Sequence, residues 1–263
     1  MKYLLPTAAA GLLLLAAQPA MAMDTAPYLA AGQYPDGMAI LPPPPALDSP
    51  GAALDMAVFR ATRKLEGTPR WRIATDDVTN DPLRRNACAM GMVLDVKTAP
   101  ALARLLDRAG TGPVVGRVKA AYQVPRPYLR EDGPICEAKT RQLASNGDYP
   151  SGHTANGWLE AQILAEVMPD KATAILARGR AYGESRAICG SHSKSAVEAG
   201  YMAGASVFAV LQTSPAYQRD LAAARQEAAR LRTTAPRPDA QSCVAEAEAL
   251  RVAAALEHHH HHH

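Results

Sequence analysis

Histidine is scarce once the chain's ends are set apart. Six of the eight histidines form the run His258 to His263, which leaves His153 and His192. With so few, and no carboxylate cluster at ligand spacing, the sequence points away from a metal centre. Aromatic residues are also few, with two Trp, nine Tyr and two Phe, and strand-like alternation is hard to find. No sign of charge dominates. The 28 basic and 25 acidic residues give a net +3, too weak and too scattered for a nucleic-acid partner. Glycine and proline number 18 and 21, short of a collagen-like or low-complexity chain, and a 48% hydrophobic fraction excludes disorder. Beyond the N-terminal leader no run approaches the roughly 20 apolar residues that span a bilayer.

The ends do not belong to the folding unit. Residues 1–22, with Lys2, an apolar run from Leu4 to Ala17 and the small-residue site Ala20-Met21-Ala22, read as a secretory leader of the kind carried by expression vectors. Residues 253–263 read as a cloning scar and purification tag. What remains suits a single domain. Within it, residues 23–50 carry Pro27, Pro35 and the run Pro42 to Pro45, predicting an extended proline-rich arm that lies on the surface or crosses to the domain. A mere linker to the leader is as consistent with that composition.

Residues 51–252 show helical periodicity almost throughout, as in Leu102, Leu105, Leu106 and Ala109, or Leu159, Ile163, Leu164 and Val167. Pro100 and Pro113 suit first turns, and Gly110 and Gly112 suit the break between two helices. The fold class expected is therefore all-α, a single-domain helical bundle. Ala196, Ala199, Gly200, Ala203 and Gly204 leave one helix face nearly bare, so a neighbour can approach closely. The mixed charges of residues 216–232 read as a solvated face.

Cys88, Cys136, Cys189 and Cys243 form an even set without CxxC spacing, which favours two disulfides among three pairings in an exported chain. Cys136 and Cys189 lie in segments expected to converge on the two histidines. They are paired on that ground, leaving Cys88 with Cys243.

Three segments carry the chemistry: Lys119 to Arg126-Pro127, Pro150-Ser151-Gly152-His153, and Ser185-Arg186 to His192. Each alone is modest, since a lone cation is usually a surface charge and a lone histidine is usually structural. In this order and spacing they resemble the signature of the type 2 phosphatidic acid phosphatase superfamily. Tyr149-Pro150-Ser151-Gly152-His153, Ile188-Cys189-Gly190, Val197-Glu198-Ala199-Gly200 and Ile40-Leu41 with Pro42 to Pro45 extend the likeness to the class A bacterial non-specific acid phosphatases. The resemblance spans about residues 35 to 235. It implies the helical fold shared with vanadium haloperoxidases, and phosphate monoesters as small-molecule substrates.

The residue types suit that chemistry. A phosphoryl group in transfer spreads negative charge over its oxygens, and preorganised cations hold it. Lys119, Arg126 and Arg186 supply three, the arginines able to bind bidentately. Ser151 can add a hydroxyl, and Gly152 a backbone N–H at a helix start. His192 would attack phosphorus, and His153 would protonate the leaving alkoxide and then activate water. No cofactor or metal is called for.

The family usually carries an aspartate four residues after the nucleophile, where this chain has Ala196. A main-chain carbonyl, Ser195 or Glu198 would then have to fix the His192 tautomer, the carbonyl being the first expectation. By resemblance, Met90, Gly91 and Met92 line the leaving-group side of the pocket. Asp148 is expected either to raise the pKa of His153 or to be a turn residue.

The function expected is a periplasmic or secreted acid phosphatase working through a phosphohistidine, with phosphotransferase activity where alcohols compete with water. A nucleotide or pyrophosphate hydrolase on the same site is one alternative. A phosphate- or vanadate-binding protein silenced by Ala196 is another. The oligomeric state, a homo-oligomer included, is left open.

Overall fold

A computed structural model describes residues 24–258, with side chains through residue 252. The leader expected over residues 1–22 lies outside the described residues, as does the scar and tag region apart from its backbone up to His258.

Among the described residues, nine helices of eight residues or more build the domain: α1 (Pro50–Arg63), α2 (Pro69–Asp76), α3 (Pro100–Asp107), α4 (Gly112–Tyr122), α5 (Gly152–Val167), α6 (Ala172–Cys189), α7 (Lys194–Leu211), α8 (Pro215–Thr234) and α9 (Ala240–His258). Single-turn helices fill the connections, and no strand occurs among the described residues. The start signals are local. Proline opens α1, α2, α3 and α8, where its missing N–H costs nothing. Ser49, Thr68, Ser151, Ser193 and Ser214 each cap the first turn of the helix that follows with the side-chain oxygen.

α5 is the central rod, packed against α6 and α7. Its Leu159, Ile163 and Leu164 are almost wholly buried, each contributing about 1.5–3 kcal/mol by leaving water. The small-residue face of α7 lets the two helices touch backbone to backbone. A Cβ added at Gly204 would run into the Ala155 carbonyl oxygen. At the end of α6, Gly190 adopts a left-handed conformation (φ 89°), which turns the chain sharply towards His192.

Two sequence readings are refined. The proline-rich arm is more than a linker: it crosses to the domain, where Tyr28, Leu29 and Leu41 join the core. The Tyr28 hydroxyl donates to Asp220 at 2.6 Å. Nor are residues 216–232 a uniformly solvated face. Asp220 is buried against Arg104 and Arg108, and Glu227 accepts from the N–H groups of Ala101 and Leu102 at the start of α3. A carboxylate at a helix N-terminus meets both the orphan donors and the helix dipole. Apolar periodicity carries no sign of such pairings, because partner and acceptor are over a hundred residues apart.

The cysteines are bridged as Cys88–Cys243 and Cys136–Cys189. The first pins α9 to the body of the domain, and the second ties the loop after Arg126 to the end of α6. No helix among the described residues is long and apolar enough to cross a membrane.

Gly204→Ala gains about 1 kcal/mol of helix propensity, but overpacking against a main-chain oxygen costs about 1–3 kcal/mol. The substitution should therefore lower the midpoint of urea unfolding. A raised midpoint would show that α5 and α7 can separate without cost.

Candidate active site

The three segments meet in one cleft of about 570 Å³. Lys119 comes from the last turns of α4, Arg126 from the loop that follows, His153 from the first turn of α5 and Arg186 from the last turn of α6. His192 comes from the turn between α6 and α7. Gly152, the first residue of α5, also lines the cleft.

Lys119 and Arg126 are held by backbone oxygens. Lys119 Nζ donates to the Gly147 carbonyl at 2.6 Å. Arg126 Nε donates to Leu143 and Asn146 carbonyls, both at 2.8 Å, and its Nη1 to Ser191 O at 2.8 Å. Neutral carbonyls position these groups without cancelling their charge. Burial, followed by the positive charge of Arg126, brings the Lys119 ammonium down to about 8, and burial likewise lowers Arg126. Arg186 is 1% exposed. Its Nη1 lies 2.9 Å from Glu137 Oε2, yet neither Nη1 nor Nε is aligned on a hydrogen-bond acceptor. Buried donors left in this state are costly unless something arrives to accept from them. An anion with several oxygens fits that need.

His192 is 3% exposed and fully hydrogen-bonded. Its Nε2 lies 3.0 Å from Arg126 Nη1, and a guanidinium nitrogen can only donate. Nε2 therefore presents its lone pair, and the ring proton sits on Nδ1. That proton faces Asp148, whose main-chain oxygen is 2.7 Å away and whose Oδ1 is 3.1 Å away. Burial, then the charges of Arg126, Lys119 and Arg186, hold the imidazole well below its usual pKa.

His153 donates from Nε2 to the Val78 carbonyl at 3.1 Å, which leaves Nδ1 to exchange a proton. Burial and the adjacent Arg186 bring its pKa to about 4. The expectation that Asp148 would raise it does not hold, because the carboxyl group is turned to His192 and Ser193 instead. Burial pushes Asp148 up to about 6 against the opposing pull of Ser193 and Arg126.

The acceptor for His192 is thus neither Ser195, which bonds Asp55, nor Glu198, which pairs with Lys194. Ser151 is fully buried and does not itself line the cleft, lying beside Gly152, which does; it caps α5, accepting from Thr154 N at 3.2 Å and Thr154 Oγ1 at 2.9 Å, so its own O–H remains to donate. Met90 and Met92 are core side chains and, with Gly91, do not line the cleft. Each methionine gains more from apolar burial than a polar cleft wall would offer. Asn80, Val115, Gly116 and Asn156 are among the residues that do border the cleft.

Among the lining residues that escaped the sequence reading, one is charged. Glu137 lines the cleft, accepts from Ser191 Oγ at 2.8 Å and faces Arg186. Burial alone would raise its pKa, but Arg186 and Ser191 outweigh that and hold it below the usual range. Its signal was available: once Cys136 bridges Cys189, residue 137 must lie near the end of α6.

The pattern describing the PAP2 superfamily matches residues 101–220, which include all three cations and both histidines. The chain is 41% identical over 222 residues to an acid phosphatase of Zymomonas mobilis, covering 82% of this chain and 84% of that protein. A non-specific acid phosphatase of Salmonella typhimurium is 36% identical over 71% of this chain and 78% of its own. One of Providencia stuartii is 34% identical over 78% and 86%. With its cations and histidines converging on one cleft and relatives matched over most of their length, the chain belongs to the PAP2 superfamily.

Proposed function

We propose that the protein is an acid phosphatase that hydrolyses phosphate monoesters through a phosphohistidine at His192, and that it works in the periplasm or outside the cell. The observation that carries this reading is the unprotonated Nε2 of His192 beside Arg126, in a cleft where Arg186, paired with Glu137 through Nη1, keeps its buried Nε without an acceptor.

The ester's phosphoryl oxygens take up the free donors of Lys119, Arg126 and Arg186, with the Ser151 hydroxyl and the N-terminus of α5 adding to them. Arg126 Nη1 passes from Nε2 to a phosphoryl oxygen, which frees the lone pair. As Nε2 bonds to phosphorus, the ester P–O bond breaks and protonated His153 gives its Nδ1 proton to the departing oxygen. Water then attacks phosphorus, the P–N bond breaks, and His153 takes up the proton. The bound dianion offsets the cations that depress His153, so the site favours protonating that ring when substrate is present. An alcohol in place of water would give phosphate transfer. The hydrogen bonds from His192 Nδ1 to Asp148 support an active enzyme over a silent phosphate-binding protein. Location outside the cytoplasm is supported by the two disulfides. Turnover of ATP or pyrophosphate relative to p-nitrophenyl phosphate would place the enzyme between monoesterase and nucleotide hydrolase.

His192→Ala should abolish p-nitrophenol release, and a quenched reaction of the parent should yield an acid-labile, base-stable phosphoenzyme. Full activity in the variant would reject the nucleophile.

The proton donor can be isolated by a ratio. The acid form of His153, with a pKa near 4, is present below that pH and lost as pH rises. Only a poor leaving group needs its proton. The ratio of kcat/KM for an alkyl phosphate to that for an activated aryl phosphate should fall about tenfold per pH unit above roughly pH 4. A flat ratio would assign the proton elsewhere.

Glu137 sets a negative charge against the incoming phosphate. Glu137→Gln should lower the inhibition constant for inorganic phosphate by roughly tenfold, or about 1.4 kcal/mol. Weaker inhibition would show that Glu137 positions Arg186 instead of opposing the anion.

A further inference from the structure

Asp148 touches the proposed nucleophile but takes no part in the steps above. The residue is 2% exposed and is held twice: Ser193 N donates to its Oδ1 at 2.9 Å, and its own main-chain N donates to the Val124 carbonyl at 2.8 Å. Backbone and side chain are thus both fixed, and each presents an oxygen to His192 Nδ1.

When Nε2 bonds to phosphorus while Nδ1 keeps its proton, the ring takes on a formal positive charge. Lys119, Arg126 and Arg186 all surround it and all oppose that charge. The carboxylates nearby are otherwise committed. Glu137 faces Arg186 and Ser191, Asp55 accepts from Ser195 at the start of α7, and Glu198 pairs with Lys194. At Ala196, on the helix after His192, there is no carboxylate.

We propose that Asp148 is the positioning residue for His192, fixing its tautomer through two acceptor oxygens and stabilising the imidazolium formed on phosphorylation. The carboxylate comes from the loop before α5 instead of from α7. Asp148 does not take the proton: the P–N bond forms and the P–O bond breaks while the Nδ1 proton stays shared with the two oxygens. This rests on His192 being the nucleophile.

Asp148→Asn, assayed above about pH 6 where the buried carboxyl is ionised, keeps an oxygen for Ser193 N and removes the charge, with an NH2 group in place of Oδ2. Its kcat for p-nitrophenyl phosphate should fall by roughly a hundredfold. Inhibition by inorganic phosphate or vanadate should be unchanged or tighter, since a negative charge beside the cations has been removed. A purely structural role would weaken both together, so a matched loss would overturn the proposal, as would an unchanged kcat. A parent protein that fails to turn over p-nitrophenyl phosphate would overturn the phosphatase reading itself, and this inference with it. Should the variant not fold, nitrogen-15 NMR of the parent's imidazoles decides: His192 should carry its proton on Nδ1 in the free protein, and a proton on Nε2 would reject the assignment.

Discussion

Three positive charges lining one cleft are the constraint around which this molecule is arranged. Lys119, Arg126 and Arg186 repel each other and lose hydration together, so each needs scaffolding that leaves its charge available. Main-chain carbonyls of Gly147, Leu143, Asn146 and Ser191 provide it for the first two. These oxygens belong to the loops between α4 and α5 and between α6 and α7. Loop conformation and cation placement are therefore one problem, solved by the same hydrogen bonds. Carboxylates are admitted sparingly: Glu137 against Arg186 and Asp148 against His192.

The helical frame gives those loops their fixed origins. α5 and α7 touch so closely that Gly200 has the Ser151 carbonyl within 2.8 Å of where a Cβ would lie. Ser151 N in turn donates to the Ala196 carbonyl at 3.0 Å. Small residues on α7 therefore set the height of the first turn of α5, where Gly152 and His153 meet the cleft. The bare face that reads as helix packing also acts on the site, one turn away.

Much of this was legible in the sequence because phosphate chemistry narrows the choice of residue. Cations at two fixed spacings and a histidine after Pro-Ser-Gly have few other uses together, and helical periodicity with proline at first turns marks the frame. What escaped depended on contacts between distant loops. Asp148 lies five residues before His153, so proximity in sequence suggested the wrong histidine, whereas the turn after α6 folds back onto it 44 positions later. The Met90-Gly91-Met92 assignment came from likeness alone, and neither methionine's apolar character favoured a polar cleft. Asp220 and Glu227 sat in a charge mixture whose buried members have partners in the arm and in α3.

The arm has a consequence for the order of assembly. Tyr28 finds its acceptor on Asp220, 192 residues later, and Cys88 finds Cys243 after 155 residues. A chain emerging from its N-terminus must hold both groups unsatisfied until α8 and α9 have followed. The closing of such long loops is slow and entropically costly. The Tyr28 hydroxyl of the first described segment is thus among the last groups to find its partner, although the arm's main chain can already meet Arg108 once α3 has formed.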